Sequence, residues 1–333
     1  MDLLGKKYNW GFVGAGNIVK AFLRGLSVCD NAVKYAIASR SEEKAKQYAE
    51  EFGIAKAYGS YDDLAADQNV DIVYIGVTNN AHFDLTMKFL KAGKHVLCEK
   101  PMVMDSVSAV LASSYAREKK LFLMEGLWWR FLPVYESVDR WVRNGEIGEI
   151  HFVKADFGYR KENLTGRERQ LLPEMGGGAL YDVGIYNISF ANKYLGQVDK
   201  ISGYAAMGPT GVDMWSTASL RYKNEGLAVL TSSFRTPTPW DAWLVGSKGS
   251  IVIRDYWKAT KACLCIAGKE EVSVEEPFES NGYEYEARHV MHCLDQGLTE
   301  SPELPLADTI ATSRIIDELL VQYGFGNKNR EVK

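Results

Sequence analysis

The feature that most constrains the fold is an apolar run that leads through a glycine turn into a helix. Tyr8–Val13 has the composition of a buried strand, Gly14-Ala15-Gly16 follows it, and Asn17–Leu26 has helical periodicity. This strand–Gly-x-Gly–helix order is what a dinucleotide fingerprint requires, because it brings backbone N–H groups and a helix N-terminus to a phosphate. A purely structural turn is the alternative. Val19 stands where the fingerprint usually has Gly or Ala, which predicts a looser contact between helix and strand.

Up to about residue 125, short apolar runs alternate with helical stretches, which predicts a parallel, doubly wound sheet. The predicted strands are Tyr8–Val13, Val33–Ala38, Asp71–Val77, Lys94–Cys98 and Leu121–Met124. The predicted helices are Asn17–Leu26, Ser41–Phe52, Ala81–Lys91 and Ser106–Lys119.

The rhythm changes after Gly126. Residues 197–274 contain β-rich stretches separated by turn residues and no helix, so a mostly antiparallel sheet is expected. The chain of 333 residues favours two domains. We predict an α/β fold with a Rossmann domain over 1–125 and an α+β domain over 126–333, whose last helix packs back towards the first domain. The remaining predicted elements are helices at Leu132–Arg143, Ala179–Leu195, Glu284–Gln296 and Ala307–Tyr323, and a strand at Gly148–Tyr159.

Composition excludes several functional classes. The net charge is -4 and no basic cluster of five or more occurs, so nucleic acid is not an expected partner, and a small substrate fits better. No apolar run reaches the roughly 18 residues that span a bilayer, and the early strand leaves no room for a signal peptide. The five cysteines include no C-x-x-C pair, which favours unpaired thiols and a cytoplasmic location.

The end of the second predicted strand indicates which dinucleotide is bound. NAD sites usually place an acid there, whereas an arginine suits the 2′-phosphate of NADP. The strand ends in Ala38-Ser39-Arg40-Ser41, so Arg40 and Ser39 are expected to bind that phosphate. Glu42 and Glu43 lie one turn further on and are expected to serve the helix N-terminus. NADP is therefore predicted over NAD.

Polar residues also follow the later strands. Thr78 and Asn79 come after Asp71–Val77 and are predicted to contact the cofactor with His82, although helix capping by Asn80 is an equal alternative. Lys100 follows a strand end between Glu99 and Pro101. A solvated rim lysine is the default interpretation, but Pro101 holds Lys100 extended at the sheet edge where such folds bind ligands. We expect Lys100 near the reactive carbon of a nicotinamide, with Glu99 as its partner or as a cofactor ligand.

A second group of candidates lies on the helix Ala179–Leu195. Asp182 and Tyr186 are four residues apart and therefore neighbours on its surface. They are candidates for handling a substrate hydroxyl; a plain polar helix face is the alternative. The preceding Gly176-Gly177-Gly178 permits close backbone approach and a mobile entrance to the helix.

Two further clusters contain candidate functional side chains. Trp129 and Arg130 lie where the domains should join and are predicted to contact the cofactor, with interdomain packing as the alternative. His289, His292 and Cys293 have the spacing of a partial metal site, but no second cluster of ligands accompanies them, so no metal is predicted.

Together these motifs resemble the Gfo/Idh/MocA oxidoreductase family over nearly the whole chain. The resemblance is carried by Gly14-Ala15-Gly16-Asn17-Ile18, by residues 92–101 (AGKHVLCEKP) and by residues 176–186 (GGGALYDVGIY). Within the family, residues 125–133 (EGLWWRFLP) are most similar to the dimeric dihydrodiol dehydrogenase branch.

The resemblance implies hydride transfer between NADP and a hydroxyl carbon of a sugar, polyol or diol. Gly14, Gly16, Asn17 and Ile18 would bind the pyrophosphate, and Tyr186, where many members have histidine, would act as acid/base with Lys100 and Asp182. A homodimer or homotetramer paired through the open face of the second sheet is also implied. The alternatives are an oxidoreductase that retains NADP while cycling between two sugars, and a non-catalytic NADP-dependent sensor.

Overall fold

A computed structural model describes residues 6–162 and 168–325. The chain forms two compact units. The first runs to Phe131 and takes in Phe278–Leu306; the second holds Leu132–Pro277 and the chain from Ala307 onward. This division differs from the predicted single boundary after residue 125, because the chain returns to the first unit after most of the second has formed.

The sheet of the first unit is parallel throughout, with strand order β3-β2-β1-β4-β5-β6. This is the doubly wound arrangement predicted from the sequence, with its switch point between β1 and β4. Its strands are β1 (Tyr8–Val13), β2 (Ala32–Ala38), β3 (Lys56–Tyr58), β4 (Ile72–Ile75), β5 (His95–Glu99) and β6 (Leu123–Gly126). Its helices are α1 (Asn17–Leu26), α2 (Glu42–Phe52), α3 (Tyr61–Ala66), α4 (His82–Lys91), α5 (Ser106–Lys119) and, from the returning segment, α8 (Tyr283–Asp295).

Helix α8 belongs to the first unit because it packs closely on α1. A Cβ atom on Gly25 would lie 2.9 Å from the backbone nitrogen of Glu284, so glycine is what lets the two helices approach. Tyr283 meets Phe22 of α1 edge-on, with ring centroids 6.3 Å apart. Helix α8 thus joins the first unit and the last helix belongs to the second. Packing of the last helix towards the first domain stays a prediction.

The sheet of the second unit has eight strands in the order β14-β13-β12-β11-β7-β10-β9-β8. It is antiparallel, as predicted, except that β10 pairs with β7 in parallel. Its strands are β7 (Ile150–Gly158), β8 (Val198–Met207), β9 (Asp213–Tyr222), β10 (Leu227–Ser233), β11 (Ala242–Gly246), β12 (Gly249–Ile253), β13 (Lys261–Ile266) and β14 (Val272–Glu275). Its helices are α6 (Val134–Arg143), α7 (Ile185–Leu195) and α9 (Leu306–Gln322).

Helix α7 packs against β7 and β10, and α9 is bonded to β8 and α7. Gln322 of α9 accepts a hydrogen bond from the backbone N–H of Gly203 (2.8 Å), and Asn192 of α7 donates to Thr312 (3.3 Å). Among the described helices, none combines the length and apolar composition that crossing a bilayer requires.

Candidate active site

The carboxyl ends of four strands meet at one edge of the first sheet. Val13 is in register with both Ala38 and Ile75, and Ile75 is in register with Cys98. Ligands of doubly wound sheets bind at this edge. The loops that open there carry the predicted residues Gly14, Gly16, Ser39, Arg40, Thr78, Asn79 and Lys100.

The two glycines of the turn after β1 are in different surroundings: Gly14 is crowded and Gly16 faces open space. Gly14 has φ +105°, and a Cβ there would lie 2.6 Å from the carbonyl oxygen of Gly76. Gly16 is the N-cap of α1, and a Cβ there would meet no atom within 4 Å. No side chain caps α1, its first turn holds no acid, and Asn17 is exposed. The N–H groups at this helix start are thus open to an anion such as a dinucleotide pyrophosphate. Binding of the cofactor by Gly14, Gly16, Asn17 and Ile18 stays a prediction.

Val19 changes the expectation for the third fingerprint position. Its side chain is fully buried, and a Cβ on Gly76 would lie 2.7 Å from its Cγ2 atom. The contact between helix and sheet is therefore tight and not loosened, because Gly76 supplies the room that a glycine at position 19 would otherwise give.

Arg40 is exposed at the end of β2 and makes no ion pair within the described part of the chain. The neighbouring hydroxyls are engaged locally: Ser39 accepts from the backbone N–H of Ser41 (3.2 Å), and Ser41 caps α2. Glu42, in the first turn of α2, pairs with Lys46 at 2.7 Å. The Glu42 carboxylate is thus engaged within its own helix, and the guanidinium is the group at this strand end that suits a phosphate.

In the loop after β4, the Asn80 side chain bonds to Thr78 and does not cap the following helix. Thr78 donates its hydroxyl hydrogen to the Asn80 side-chain oxygen (2.8 Å), and no side chain caps α4. Asn79 is buried. Capping by Asn80 is thus not what the structure shows, whereas contact of Thr78 and Asn79 with a cofactor stays a prediction.

His82 lies in the core of the first unit, with 1% of its surface exposed. Its Nδ1 atom is 2.7 Å from the carbonyl oxygen of Pro101, and its Nε2 atom is 3.2 Å from that of Val77. The ring therefore joins the loop after β4 to the loop after β5. A direct contact with a cofactor stays a prediction; the observed role is this bridge.

Lys100 is half-buried directly after β5. Its backbone N–H donates to the Glu99 carboxylate (3.2 Å), and the Tyr74 hydroxyl donates to the other oxygen of that carboxylate (2.6 Å). Glu99 itself is buried. The carboxylate therefore fixes the backbone from which the Lys100 side chain departs.

Trp129 and Arg130 are buried within the first unit, at 0% and 6% exposure. The guanidinium carbon of Arg130 lies 5.3 Å from the Trp129 ring, and Arg130 donates to the backbone oxygen of Glu303 (3.2 Å). These contacts lie within the first unit. Contact of Trp129 and Arg130 with a cofactor stays a prediction.

In the second unit, Asp182 and Tyr186 occupy a distorted helix start. Leu180–Gly184 forms a π-helical turn that continues into α7. Such turns are rare and frequent at functional sites. The predicted polar face is not solvated: the Asp182 side chain is 13% exposed and Tyr186 only 5% exposed. The helix is covered because β7 and β10 pack on it and α9 bonds to it.

Asp182 is held by two groups that sequence reasoning missed. Tyr159 donates its hydroxyl hydrogen to Asp182 (2.9 Å), and an Arg169 nitrogen lies 3.6 Å from the other carboxylate oxygen. Burial, and then the charge of Asp182, raise the pKa of Tyr159, so this phenol remains a donor. Burial has the opposite effect on the nearby Lys161: it lowers the pKa of this ammonium, because burial disfavours the charged form of any group. Nothing in the sequence marks Tyr159 beyond its place at the end of a predicted strand.

Tyr186 packs among aromatic rings that the sequence did not indicate. Its ring meets Phe157 and Trp257 edge-on, with centroids 5.7 and 6.3 Å away. Trp240, whose φ of +62° is unusual for so large a side chain, lies edge-on to Trp257 at 6.0 Å. Planar walls of this kind bind the apolar faces of ring compounds.

Asp213 anchors the start of this helix. It is fully buried, accepts from the backbone N–H of Leu180 (2.8 Å), and burial raises its pKa to about 6. Gly178 has φ +113°, and a Cβ there would lie 2.2 Å from an Asp213 oxygen. A Cβ on Gly177 would lie 2.7 Å from the carbonyl oxygen of Gln170. The close approach predicted for the glycine triplet is therefore present.

In the histidine cluster on α8, the bonds that are seen are those of His289. His289 contacts Ser301 (2.7 Å) and Cys293 (3.3 Å), and burial lowers its pKa to about 4. Over residues 6–162 and 168–325, no group of three or more His, Cys, Asp or Glu side chains is arranged to hold a metal ion.

Comparison with known families decides the class. Residues 8–127 match the model of an oxidoreductase family with an NAD-binding Rossmann fold, and residues 135–252 match the GFO/IDH/MocA C-terminal domain. The chain belongs to the Gfo/Idh/MocA oxidoreductase family. The predicted family is thus confirmed, and with it a Rossmann domain of the kind that binds NAD(P).

The chain is also similar to named enzymes over most of its length. It is 36% identical over 328 residues to the trans-1,2-dihydrobenzene-1,2-diol dehydrogenase of Xenopus tropicalis, covering 95% of this chain and 98% of the relative. The human enzyme of that name is 34% identical over 320 residues, with coverage of 93% and 95%.

Two solved structures share the fold. A 3-ketoreductase from Actinomadura kijaniata, in complex with NADP and TDP-benzene, superimposes with a TM-score of 0.85 at 25% identity, covering 96% of this chain and 98% of that one. A levoglucosan dehydrogenase in complex with NADH and levoglucosan gives a TM-score of 0.86 at 19% identity, with the same coverage.

Proposed function

We propose that this protein transfers a hydride between NADP and a hydroxyl or carbonyl carbon of a ring-shaped sugar, polyol or trans-dihydrodiol. The observation that carries the proposal is Tyr186, placed among aromatic rings with Asp182 four residues before it. A phenol provides a proton donor and acceptor, and the carboxylate accepts from a second hydroxyl of the same ring. The 34–36% identity to trans-dihydrodiol dehydrogenases supports a vicinal diol.

Each residue has a role in this proposal. NADP supplies the hydride acceptor or donor at its nicotinamide. Tyr186 takes the hydroxyl proton during oxidation and returns it during reduction. A phenol has an ordinary pKa of about 10, so a cation must stabilise its anion, and Lys100 is proposed to do so. Asp182, held by Tyr159, orients the substrate hydroxyl.

NADP is proposed over NAD because Arg40, exposed at the end of β2, has no carboxylate partner among the described residues and suits a 2′-phosphate. Relatives of this fold have been solved with NADP and with NADH.

A substrate screen tests the function. The absorbance band of the reduced nicotinamide is followed with NADP and NAD in both directions, over trans-dihydrodiols, aldoses and inositols. Turnover of a ring diol or sugar that prefers NADP is expected, with Tyr186→Phe as the inactive control. Absence of turnover over all classes, with NADP bound, contradicts the proposal and favours the sensor alternative. Cofactor that stays bound through gel filtration while two sugars interconvert favours the retained-cofactor alternative.

We also propose that copies of the chain associate through the open face of the second sheet. Tyr204, Trp215, Leu227 and Val229 alternate with buried residues along β8, β9 and β10 and are 79, 39, 50 and 42% exposed. Exposed apolar groups of this density indicate a protein contact. Light scattering is expected to give a dimer or tetramer, and Val229→Lys is expected to shift it towards monomer.

A further inference from the structure

Lys258 holds its charge over two indole rings of the second unit. Its ammonium nitrogen lies 5.1 Å from the centre of the Trp240 ring and 5.2 Å from that of Trp257. The two rings meet edge-on, with centroids 6.0 Å apart, and all three residues are half-buried. An ammonium is attracted to the face of an indole, but it has three N–H donors, and a ring contact does not use all of them. Lys258 is therefore positioned by its neighbours and still able to bind an anion.

No carboxylate in the described part of the chain forms an ion pair with Lys258. Asp241 is paired instead with Arg254, at 3.5 Å. Asp255, three residues before Lys258, is exposed, and its backbone oxygen accepts from the Lys258 backbone N–H at 2.7 Å. The charge of Lys258 thus lacks a carboxylate partner among these residues, which suits a ligand that brings a negative charge.

The Trp240 backbone is strained, and its neighbours impose the strain. Its φ of +62° is unusual for so large a side chain. The Trp240 backbone N–H donates to the buried carboxylate of Asp156 (2.9 Å), and its indole N–H donates to the carbonyl oxygen of Gly158. The Trp240 carbonyl oxygen accepts from the backbone N–H of Tyr256 (3.1 Å). Strained residues persist where their surroundings hold them, and they are concentrated at active sites and ligand clamps.

The same aromatic cluster contains the proposed acid/base. Trp257, which lies under the Lys258 ammonium, meets the Tyr186 ring edge-on at 6.3 Å. Phe157 stacks on Trp257 at 4.8 Å and also meets Tyr186 edge-on. A group bound by Lys258 therefore lies beside the part of the site where Tyr186 is proposed to act.

We propose that the ring substrate carries an anionic substituent, a carboxylate or a phosphate, which the Lys258 ammonium binds. The rings of Trp240 and Trp257 then contact the apolar face of the substrate ring. Since this rests on the proposed function, the substrate class narrows from ring sugars in general to acidic ones, such as hexuronates and hexose phosphates. A neutral diol would leave the ammonium without a partner of opposite charge.

Turnover of matched sugars tests the charge preference. A hexuronate and a hexose 6-phosphate are each compared with the neutral hexose of the same configuration, with NADP as the cofactor. The acid is expected to have a kcat/KM about 10–100-fold higher, the effect of one charge-assisted hydrogen bond. Added salt is expected to reduce this ratio, because it screens a half-exposed charge. Whichever acid is preferred identifies the anion, whereas neutral hexoses or diols turned over as well as both acids overturn the proposal.

Variants of Lys258 test which residue reads the charge. Lys258→Met is expected to abolish the acid-to-neutral ratio, and Lys258→Arg, which keeps the charge and the ring contact, to retain most of it. Because both rates come from one protein sample, a smaller folded fraction does not change the ratio. Lys269→Met is the matched control: Lys269 is exposed on a turn of the same unit, and its loss is expected to leave the ratio unchanged. A ratio that survives in Lys258→Met overturns the assignment.

Calorimetry separates failure of this subsite from failure of the proposed function. If no compound is turned over, the proposed function fails, and the hexuronate and the hexose 6-phosphate are titrated into protein saturated with NADP. Binding of either acid that Lys258→Met weakens about 10–100-fold supports the subsite. Absence of binding, or equal binding by both proteins, overturns it. If neutral sugars are turned over without preference for the acids, the proposed function stands and the anion subsite is wrong.

Discussion

Replacing Gly178 with alanine is expected to destabilise the second unit by about 2–5 kcal/mol. Gly178 has φ +113°, a region where an L side chain costs about 1–2 kcal/mol. The new Cβ would also lie 2.2 Å from an Asp213 oxygen inside a packed core, and overpacking of this kind costs about 1–3 kcal/mol. Asp213 cannot retreat cheaply, because its other oxygen accepts from the backbone N–H of Leu180.

Thermal and urea unfolding measure this cost, with Gly211→Ala as the matched control. Gly211 has φ +88° in the same unit, but a Cβ there meets no atom within 4 Å. The control is therefore expected to lose only the conformational part, about 1–2 kcal/mol. Adding Asp213→Ala to Gly178→Ala is expected to cost less than the sum of the single changes, since the clash is gone.

In Gly178→Ala, we expect turnover to change and cofactor binding to stay the same. The helix start that carries Asp182 and Tyr186 is expected to shift in Gly178→Ala, so kcat is expected to fall. The affinity for NADPH is expected to be unchanged, because its proposed site lies in the first unit. If Gly178→Ala is no less stable than Gly211→Ala, contact with Asp213 is not the reason for glycine at this position.

Three further outcomes are expected. Arg40→Ala should raise the Kd of NADPH by about 10–100-fold and leave that of NADH unchanged in fluorescence titration, and equal effects on both would contradict the 2′-phosphate contact. Gly16→Val should keep the Tm of the cofactor-free protein, because its Cβ meets open space, yet weaken NADPH binding at least about tenfold; a large drop in Tm would show a structural role instead. The wild type should lose about 2–3 kcal/mol relative to Asp213→Asn as pH rises from about 4 to about 6, because burial raises the pKa of Asp213 to about 6. Parallel stability curves would refute that ionisation.

Local sequence patterns were sufficient to predict many of the helices and strands of the first unit. Helices Asn17–Leu26 and Ser106–Lys119 have the predicted bounds, because their sequence patterns are local signals. The structure adds that Asp105 caps the second helix. The strand Lys56–Tyr58 and the helix Tyr61–Ala66 were missed, since three and six residues are too few to show a period.

Features that depend on distant partners could not be predicted. The return of α8 to the first unit rests on Gly25, more than 250 residues away in the chain. Asp213 looks like an ordinary strand residue until Gly178 is placed against it. Similarly, Tyr159 gains significance only from its bond to Asp182. Gly14, Arg40 and Lys100 were readable from the sequence because each stands near the end of a predicted strand.

The measurement that tests the central proposal most directly compares Tyr186→Phe with the wild type on the substrate found in the screen. The variant removes one hydroxyl from a ring that stays packed against Phe157 and Trp257. We predict that kcat falls by about 10²–10⁴-fold while the Kd of NADPH is unchanged. Turnover close to that of the wild type would contradict the assignment of Tyr186 as the acid/base.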